Sequence, residues 1–471
     1  METKYEFGLV GLAVMGQNFA LNIESNGHSL AVYNRSHNIL NSFIEERAED
    51  RNIKACYSLE ELVDSLEKPR KIMMLIKAGN PVDSVIDKLI SLLDKGDIII
   101  DGGNSFFKDT ERRYNKLKGS GIRFLGTGIS GGEYGALHGP SIMPGGDQSA
   151  YDEVKNIFED AAARTETGPC VVFLGPGSAG HYVKMVHNGI EYAVMAIITE
   201  IYDFMRKVLK LKPGQMAEYF SEWNQTENSY LLEITTEILK RKDKDTGDYL
   251  IDLILDTAKQ KGTGKWSAQE ALELGVPVPT ITAAVNSRSL SALKDERVEI
   301  NKDLGGLNDI LVDETDIYKQ LETTLYMATI ISYAEGLKLL EEASAEYDYS
   351  LDLSEVARIW EDGCIIRSSL LKPIQEAYKE GNPLNLIASS QFRDKLKDSS
   401  GSLREVVSMA QKAGIPVPAL SSALSYYDIL RTAEMPANLI QAQRDYFGAH
   451  TYQRRDKDGT FHTEWQDIQN I

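Results

Sequence analysis

Between an apolar run, Phe7–Val10, and a helical period from Gly16 to Ser25, the chain places Gly11-Leu-Ala13-Val14-Met15-Gly16. Small residues at the first, third and sixth positions of a strand-to-helix turn leave few folds open. The first makes a tight turn, the second lets the backbone approach a ligand, and the third lets the helix pack on the strand. Free N–H groups and the dipole at the start of that helix favour a bound phosphate. The turn therefore predicts a doubly wound α/β sheet whose first crossover holds a dinucleotide pyrophosphate.

The following residues keep to that plan. Phe7–Val10, Leu30–Tyr33, Lys71–Leu75, Asp97–Ile100, Arg123–Gly126 and Val171–Leu174 read as strands. Gly16–Ser25, Ile39–Arg47, Pro81–Leu93, Phe107–Lys118 and Ser149–Ala163 read as the helices between them. Such alternation implies a largely parallel, Rossmann-type sheet. After Gly177 the strand signals stop and helical periods follow one another. The chain thus divides into a dinucleotide-binding domain (1–177), a large all-α domain (178–437) and a C-terminal tail (438–471). The all-α part repeats a short phrase, Gly275-Val-Pro-Val-Pro279 and Gly414-Ile-Pro-Val-Pro418, which hints at a duplicated unit. The tail packs Arg444, Tyr446, Phe447, His450, Tyr452, Arg454 and Arg455 into a few turns, more aromatic character than a frayed end carries.

Charge narrows the class of ligand. Lys and Arg number 51 against 70 Asp and Glu, a net charge of −19, which disfavours nucleic acid and anionic membranes as partners. An anionic small molecule would then need a local cluster of cations. The three cysteines, Cys56, Cys170 and Cys364, have neither metal-ligand spacing nor disulfide-framework spacing, so no metal is expected. No secretory leader or membrane span is legible, which points to a cytoplasmic protein.

Two further stretches carry chemistry. The second strand ends in Asn34-Arg35-Ser36, where an NAD-selective site would present Asp or Glu to the ribose hydroxyls. Arg35 can instead grip a 2′-phosphate bidentately and Ser36 can donate to it, so the expected cofactor is NADP. In the helix opened by Ser178, the residues Lys184, His187, Asn188 and Glu191 fall on one narrow arc of an otherwise apolar cylinder. Burying such groups without partners is costly. A buried Lys is lowered toward neutrality and becomes a base, and a buried Glu keeps its proton and becomes the complementary acid.

Seven stretches, in order, resemble the decarboxylating 6-phosphogluconate dehydrogenases of the β-hydroxyacid dehydrogenase superfamily. They are Gly8–Asn18, Asp101–Ser105, Gly128–Glu133, Gly139–Gly146, Lys184–Tyr192, Lys261–Trp266 and Arg444–His450, and they span essentially the whole chain. The resemblance implies oxidation and decarboxylation of 6-phosphogluconate to ribulose 5-phosphate in the oxidative pentose phosphate pathway, with NADP reduced. It implies Lys184 as general base and then acid, and Glu191 as the acid that protonates C1. His187 and Asn188 would hold substrate hydroxyls, and Asn104, Ser130, Gly131 and Gly132 the carboxylate end. Asn104 would also face the cofactor, beside Gly11, Ala13, Val14, Met15, Gly16, Asn34, Arg35 and Ser36. Tyr192, Lys261, Arg288, Arg444 and His450 would clamp the substrate phosphate, the last two from a partner subunit's tail in a homodimer. Read without the resemblance, Ser130-Gly131-Gly132 is also a plain strand-to-helix turn, Lys261-Gly262-Thr263-Gly264 a helix C-cap, and Arg288 a surface charge. Pro176 and Ser178 depart from the family pattern, which carries acidic residues there. The competing readings are a dehydrogenase of another 3-hydroxy acid, which would not need the phosphate clamp, and a non-catalytic NADP-binding protein.

Overall fold

The computed structural model describes residues 4–260, 262–308, 310 and 316–465. The dinucleotide region holds β1 (Phe7–Val10), β2 (Leu30–Tyr33), β3 (Ile53–Cys56), β4 (Lys71–Met74), β5 (Ile98–Asp101), β6 (Arg123–Ile129) and β7 (Ile142–Gly146). They form one seven-stranded sheet in the order β3-β2-β1-β4-β5-β6-β7. The first six strands are parallel, and β7 returns antiparallel to β6, pairing Thr127 with Pro144 and Ile129 with Ile142. The order reverses at β1/β4, the crevice where ligands bind in sheets of this kind.

The connecting helices are α1 (Val14–Ser25), α2 (His37–Arg47), α3 (Leu59–Ser65), α4 (Asn80–Ile90), α5 (Phe107–Lys118), α6 (Gly132–His138) and α7 (Gln148–Ala161). Apolar residues from α1, α2 and α7 cover one face of the sheet, and those from α3 and α4 the other. The sequence reading misses β3, α3, α6 and β7. The expected strand at Val171–Leu174 is absent, Val171 making only an isolated bridge to Ile142. The edge position is taken by β7, whose Met-Pro-Gly-Gly run has little strand propensity but is wholly buried and pairs along its length. Long-range pairing overrides local preference there. A short hairpin, β8 (Arg164–Thr165) with β9 (Gly168–Pro169), precedes the helical region.

That region runs through α8 (Ala179–Lys207), α9 (Pro213–Glu227), α10 (Tyr230–Lys240), α11 (Leu250–Leu253), α12 (Thr263–Glu273), α13 (Pro279–Ser291) and α14 (Lys294–Leu304). It continues with α15 (Ile317–Glu346), α16 (Leu353–Ile359), α17 (Leu371–Lys379), α18 (Arg393–Lys412) and α19 (Pro418–Leu430). The long helices α8 and α15, of 29 and 30 residues, pack against each other. Each repeated pentapeptide ends at the first proline of a helix, α13 or α19, and each of those helices is capped by a buried glutamate from a long helix. Glu335 of α15 accepts from Thr280 N and Ile281 N of α13. Glu200 of α8 accepts from Ala419 N and Leu420 N of α19. Each helix that begins at the repeated phrase is therefore tied to one of the two long helices.

At the start of α8 the Ser178 side chain makes no cap; its hydroxyl meets Tyr349 Oη at 2.7 Å. The negative charge favoured at a helix N-terminus comes instead from Glu111 of α5, which accepts from Ser178 N at 3.0 Å. Leu424 opens a second compact unit. It holds the end of α19, α20 (Ala437–Gly448) and an antiparallel hairpin of β10 (Tyr452–Gln453) and β11 (Thr460–Phe461). No helix among the described residues is long and apolar enough to cross a membrane.

Candidate active site

The cofactor crevice is built by the β1–α1 turn. Gly11 has φ +101°, and a Cβ on Gly16 would stand 1.9 Å from Gly11 O, so only glycine lets the helix start against the strand. The N-cap of α1 is Ala13, with no side chain occupying the first free N–H groups, and Val14 and Met15 follow in the first turn. That cradle fits a pyrophosphate. Asn34 shapes the end of β2: its Oδ1 accepts from Leu12 N at 3.0 Å and its Nδ2 donates to Ser36 O at 3.0 Å. Arg35 and Ser36 are exposed beside it, and the Ser36 hydroxyl makes no cap to α2. A cation and a free hydroxyl at this strand end fit a 2′-phosphate.

Asn104 is exposed on the loop after β5, and the residue that shapes this loop is buried beneath it. Asp101 accepts from Gly103 N at 3.1 Å, Ser105 Oγ at 2.7 Å and Arg113 Nη1 at 3.1 Å. Arg113 is itself fully buried and also grips Asp83 with two bonds of 3.0 Å. This ion-paired layer gives an exposed loop a fixed shape.

The arc predicted on α8 is present and buried. Lys184 is 6 % exposed, His187 0 % and Asn188 7 %, while the Glu191 side chain is 21 % exposed at the mouth. Lys184 Nζ lies 3.2 Å from His187 Nδ1, which lies 3.1 Å from Asn188 Oδ1. His187 Nε2 meets Ser130 Oγ at 3.1 Å, joining the helix to the loop after β6. Burial brings the Lys184 ammonium down to about 8, with Glu191 opposing the fall. Burial, then the Lys184 charge, holds His187 well below its ordinary range, so it is a neutral imidazole. Burial also raises the Glu191 carboxyl, against the pull of Lys184 and Arg288. A lysine brought down toward neutrality and a carboxyl raised above its ordinary range thus share one helix face.

The Ser130 loop depends on a left-handed residue. Gly131 has φ +103°, and a Cβ there would lie 2.6 Å from Gly363 O. Gly363 belongs to a segment between α16 and α17 that the sequence reading overlooks, although it lines the same cluster. Trp360 stands edge-on to His187 at 5.6 Å between centroids, and Ile365 N reaches Ser130 Oγ at 3.5 Å. The only local signal was a Trp, a Gly and one of the scarce cysteines in a break between helical periods.

Further along α8, Tyr192 is buried, and the Arg288 guanidinium lies over its ring at 3.4 Å. Gly264 of α12 also packs against Tyr192: a Cβ there would meet the ring at 2.5 Å. Three helices therefore converge around one aromatic ring with a cation on it. Lys261 lies outside the described residues. The neighbouring Gly262, with φ +100°, is the N-cap of α12, and the expected C-cap is not found. Arg444 and His450 are exposed in the second unit, Arg444 donating to Gln441 Oε1 at 3.0 Å.

A dinucleotide-type switch point in the same chain as a largely buried Lys–His–Asn–Glu arc defines a nicotinamide-dependent dehydrogenase of hydroxy acids. The chain belongs to the 6-phosphogluconate dehydrogenase family. Residues 6–175 match the NAD binding domain of 6-phosphogluconate dehydrogenase and residues 180–465 its C-terminal domain. It is 51 % identical to the NADP(+)-dependent, decarboxylating 6-phosphogluconate dehydrogenase of Bacillus subtilis, over 98 % of this chain and 99 % of that one. With the decarboxylating enzyme of Escherichia coli it shares 49 % identity over 99 % of this chain and 100 % of that one. Among solved structures, the Plasmodium falciparum 6-phosphogluconate dehydrogenase superposes with a TM-score of 0.94 at 46 % identity, covering 98 % of this chain and 100 % of that one. That enzyme was solved in apo form, with its cofactor NADP+ and with its substrate 6-phosphogluconate.

Proposed function

We propose that the chain oxidises and decarboxylates 6-phospho-D-gluconate to D-ribulose 5-phosphate and CO2 with NADP as oxidant, as a cytoplasmic enzyme. The observation that carries this reading is the buried Lys184–His187–Asn188 cluster joined to Ser130, in a chain that aligns end to end with enzymes of that name. When bound, the nicotinamide supplies a two-electron acceptor for the hydrogen on C3. Neutral Lys184, about a tenth of the population at pH 7 for a group at about 8, takes the 3-hydroxyl proton. The resulting 3-keto acid places its carbonyl beside protonated Lys184, which donates to it as CO2 leaves and charge moves onto that oxygen. Glu191 then delivers a proton to C1 of the enediol. Neutral His187, fixed by Ser130, and Asn188 hold the hydroxyls, while Ser130, Gly131, Gly132 and Asn104 hold the carboxylate end.

The phosphate clamp consists of Tyr192, Arg288 and Lys261, completed by Arg444 of the partner subunit and His450 of the partner subunit. A homodimer is supported by apolar surface on the helical region. The helices α11 and α14 have no buried residue, and Leu253, Leu272, Leu290, Val298 and Leu304 are all at least 47 % exposed. Exposed apolar side chains in this number fit helices that a second copy covers. In this division, residues 1–177 bind NADP, 178–437 bind substrate and dimerise, and the tail 438–471 reaches across. The test is NADPH formation with 6-phosphogluconate, with CO2 and ribulose 5-phosphate assayed as products. Wild type should turn over and Lys184→Met should not. NADP binding without turnover of 6-phosphogluconate would move the search to another 3-hydroxy acid.

A further inference from the structure

The tail contributes Arg444 and His450 to the proposed clamp, yet both are exposed, on a segment with little core of its own. Between them stands Asp445, fully buried. Its Oδ1 accepts from Thr451 N at 2.9 Å and contacts His462 Nδ1 at 2.9 Å. Its Oδ2 accepts from Thr463 N at 3.1 Å and from Trp465 Nε1 at 2.7 Å. Burial alone would raise this carboxyl, but the four bonds outweigh it and hold the group at about 2, fully ionised.

The geometry explains what the bonds do. The helix α20 ends at Gly448, and the chain then turns through Ala449 at φ 48° and Thr451 at φ 58°, with His450 between them. Left-handed conformations at non-glycine residues are strained, so this turn needs outside support. Asp445 supplies it directly at Thr451 N and, by holding the return of the hairpin, on the far side as well. Gln441 extends the lattice to Arg444. It accepts from Arg444 Nη1 at 3.0 Å and donates to Thr451 O at 2.6 Å. Arg444 and His450 are thus both tied to the one loop that the Asp445 carboxylate fixes.

We infer that Asp445 is the positioning residue of the substrate clamp: it touches no ligand but sets the loop geometry that presents Arg444 and His450 as one preformed anion grip. The inference rests on the clamp reading above. A grip fixed in advance is not ordered at the expense of binding, so loosening it appears in substrate affinity before it appears in chemistry.

The test uses the full-length enzyme carrying Asp445→Asn, Trp465→Phe, Arg444→Ala and the double variant Asp445→Asn/Arg444→Ala. The amide that Asp445→Asn introduces keeps one acceptor oxygen and turns an N–H toward donors. KM for 6-phosphogluconate should rise about tenfold or more, with kcat within about threefold and the NADP Kd unchanged. Trp465→Phe, which removes a single bond, should raise KM in the same direction by a smaller factor. The double variant should raise KM by less than the product of the two single effects, because Asp445 acts in part through the Arg444 it positions. Sedimentation fixes the oligomeric state of each variant. If Asp445→Asn loses assembly, Trp465→Phe decides the question. An unchanged substrate KM in Trp465→Phe and Asp445→Asn, or additive effects in the double variant, overturns the positioning role while Arg444→Ala still raises KM. If Arg444→Ala leaves KM unchanged, the clamp reading itself is wrong and the inference falls with it.

Discussion

Glu335 offers the sharpest test of how the helical region holds the site. It is fully buried, and its two oxygens receive Thr280 N at 3.0 Å and Ile281 N at 3.1 Å. Glu335→Leu keeps much of the volume but leaves two backbone donors without an acceptor where water does not reach. Each orphaned donor costs about 1–3 kcal/mol, so the substitution should cost roughly 4 kcal/mol in total. At ~2.1 cal/mol/K per residue, a chain of 471 residues unfolds with an entropy near 1 kcal/mol/K, which converts that loss into a Tm drop of about 4 °C. If the helical region unfolds by itself, the entropy is roughly halved and the drop is about 8 °C. Glu335→Gln keeps one acceptor and should lose less than half as much. Burial pushes the Glu335 carboxyl from its ordinary 4.5 up to about 8. The native state therefore retains a proton that the unfolded chain has released between those values. The associated stability is fully present below pH 4.5 and is lost as pH rises through about 8. The Tm gap between wild type and Glu335→Gln should narrow from pH 5 to pH 9, since glutamine carries no such proton. Because α13 carries Arg288 at its other end, the leucine variant should also raise the substrate KM. Differential scanning calorimetry at several pH values makes the measurement. A Leu variant within about 1 °C of wild type would refute the capping argument, as would a Gln variant as damaged as the Leu variant.

Three other outcomes follow from the site. The pH profile of kcat/KM should be bell-shaped with one limb at about 8, set by Lys184. A profile governed only by an ordinary histidine value would remove Lys184 as the base. Arg35→Ala should cost NADP roughly 1.5–3 kcal/mol, or about 10- to 100-fold in kcat/KM, and leave NAD little changed. Equal losses with both cofactors would place Arg35 outside the 2′-phosphate site. Gly131→Ala forces a Cβ to 2.6 Å from Gly363 O at φ +103°. Left-handed strain of about 1–2 kcal/mol and overpacking of about 1–3 kcal/mol should displace Ser130 and lower kcat/KM for substrate at least about 30-fold, with NADP binding intact. Steady-state kinetics beside cofactor titration separate the two effects, and wild-type kinetics would show that the loop does not need its present shape.

Features that depend on neighbours along the chain are legible in the residues alone. The phosphate turn Gly11–Gly16, the strand end at Arg35 and the arc Lys184–Glu191 are local patterns whose periodicity and spacing survive without a partner element. Features that depend on groups brought together across the fold are not. The buried β7 is a strand because β6 pairs with it, although Pro144, Gly145 and Gly146 argue against one. Val171–Leu174 looks like a strand and is not one, because β7 holds that edge. Glu200 and Glu335 are carboxylates inside apolar helices, and what each does emerges only where it meets the free N–H groups of α19 or α13. Trp360, Gly363 and Ile365 line the site from a loop far from it in sequence, and Asp445 finds its partners only once Thr451 and the three residues past the hairpin are in place around it. Local patterns announce themselves because backbone geometry enforces them within a few residues. A buried charge or a propensity-defying strand is stable only once its distant partner is in place.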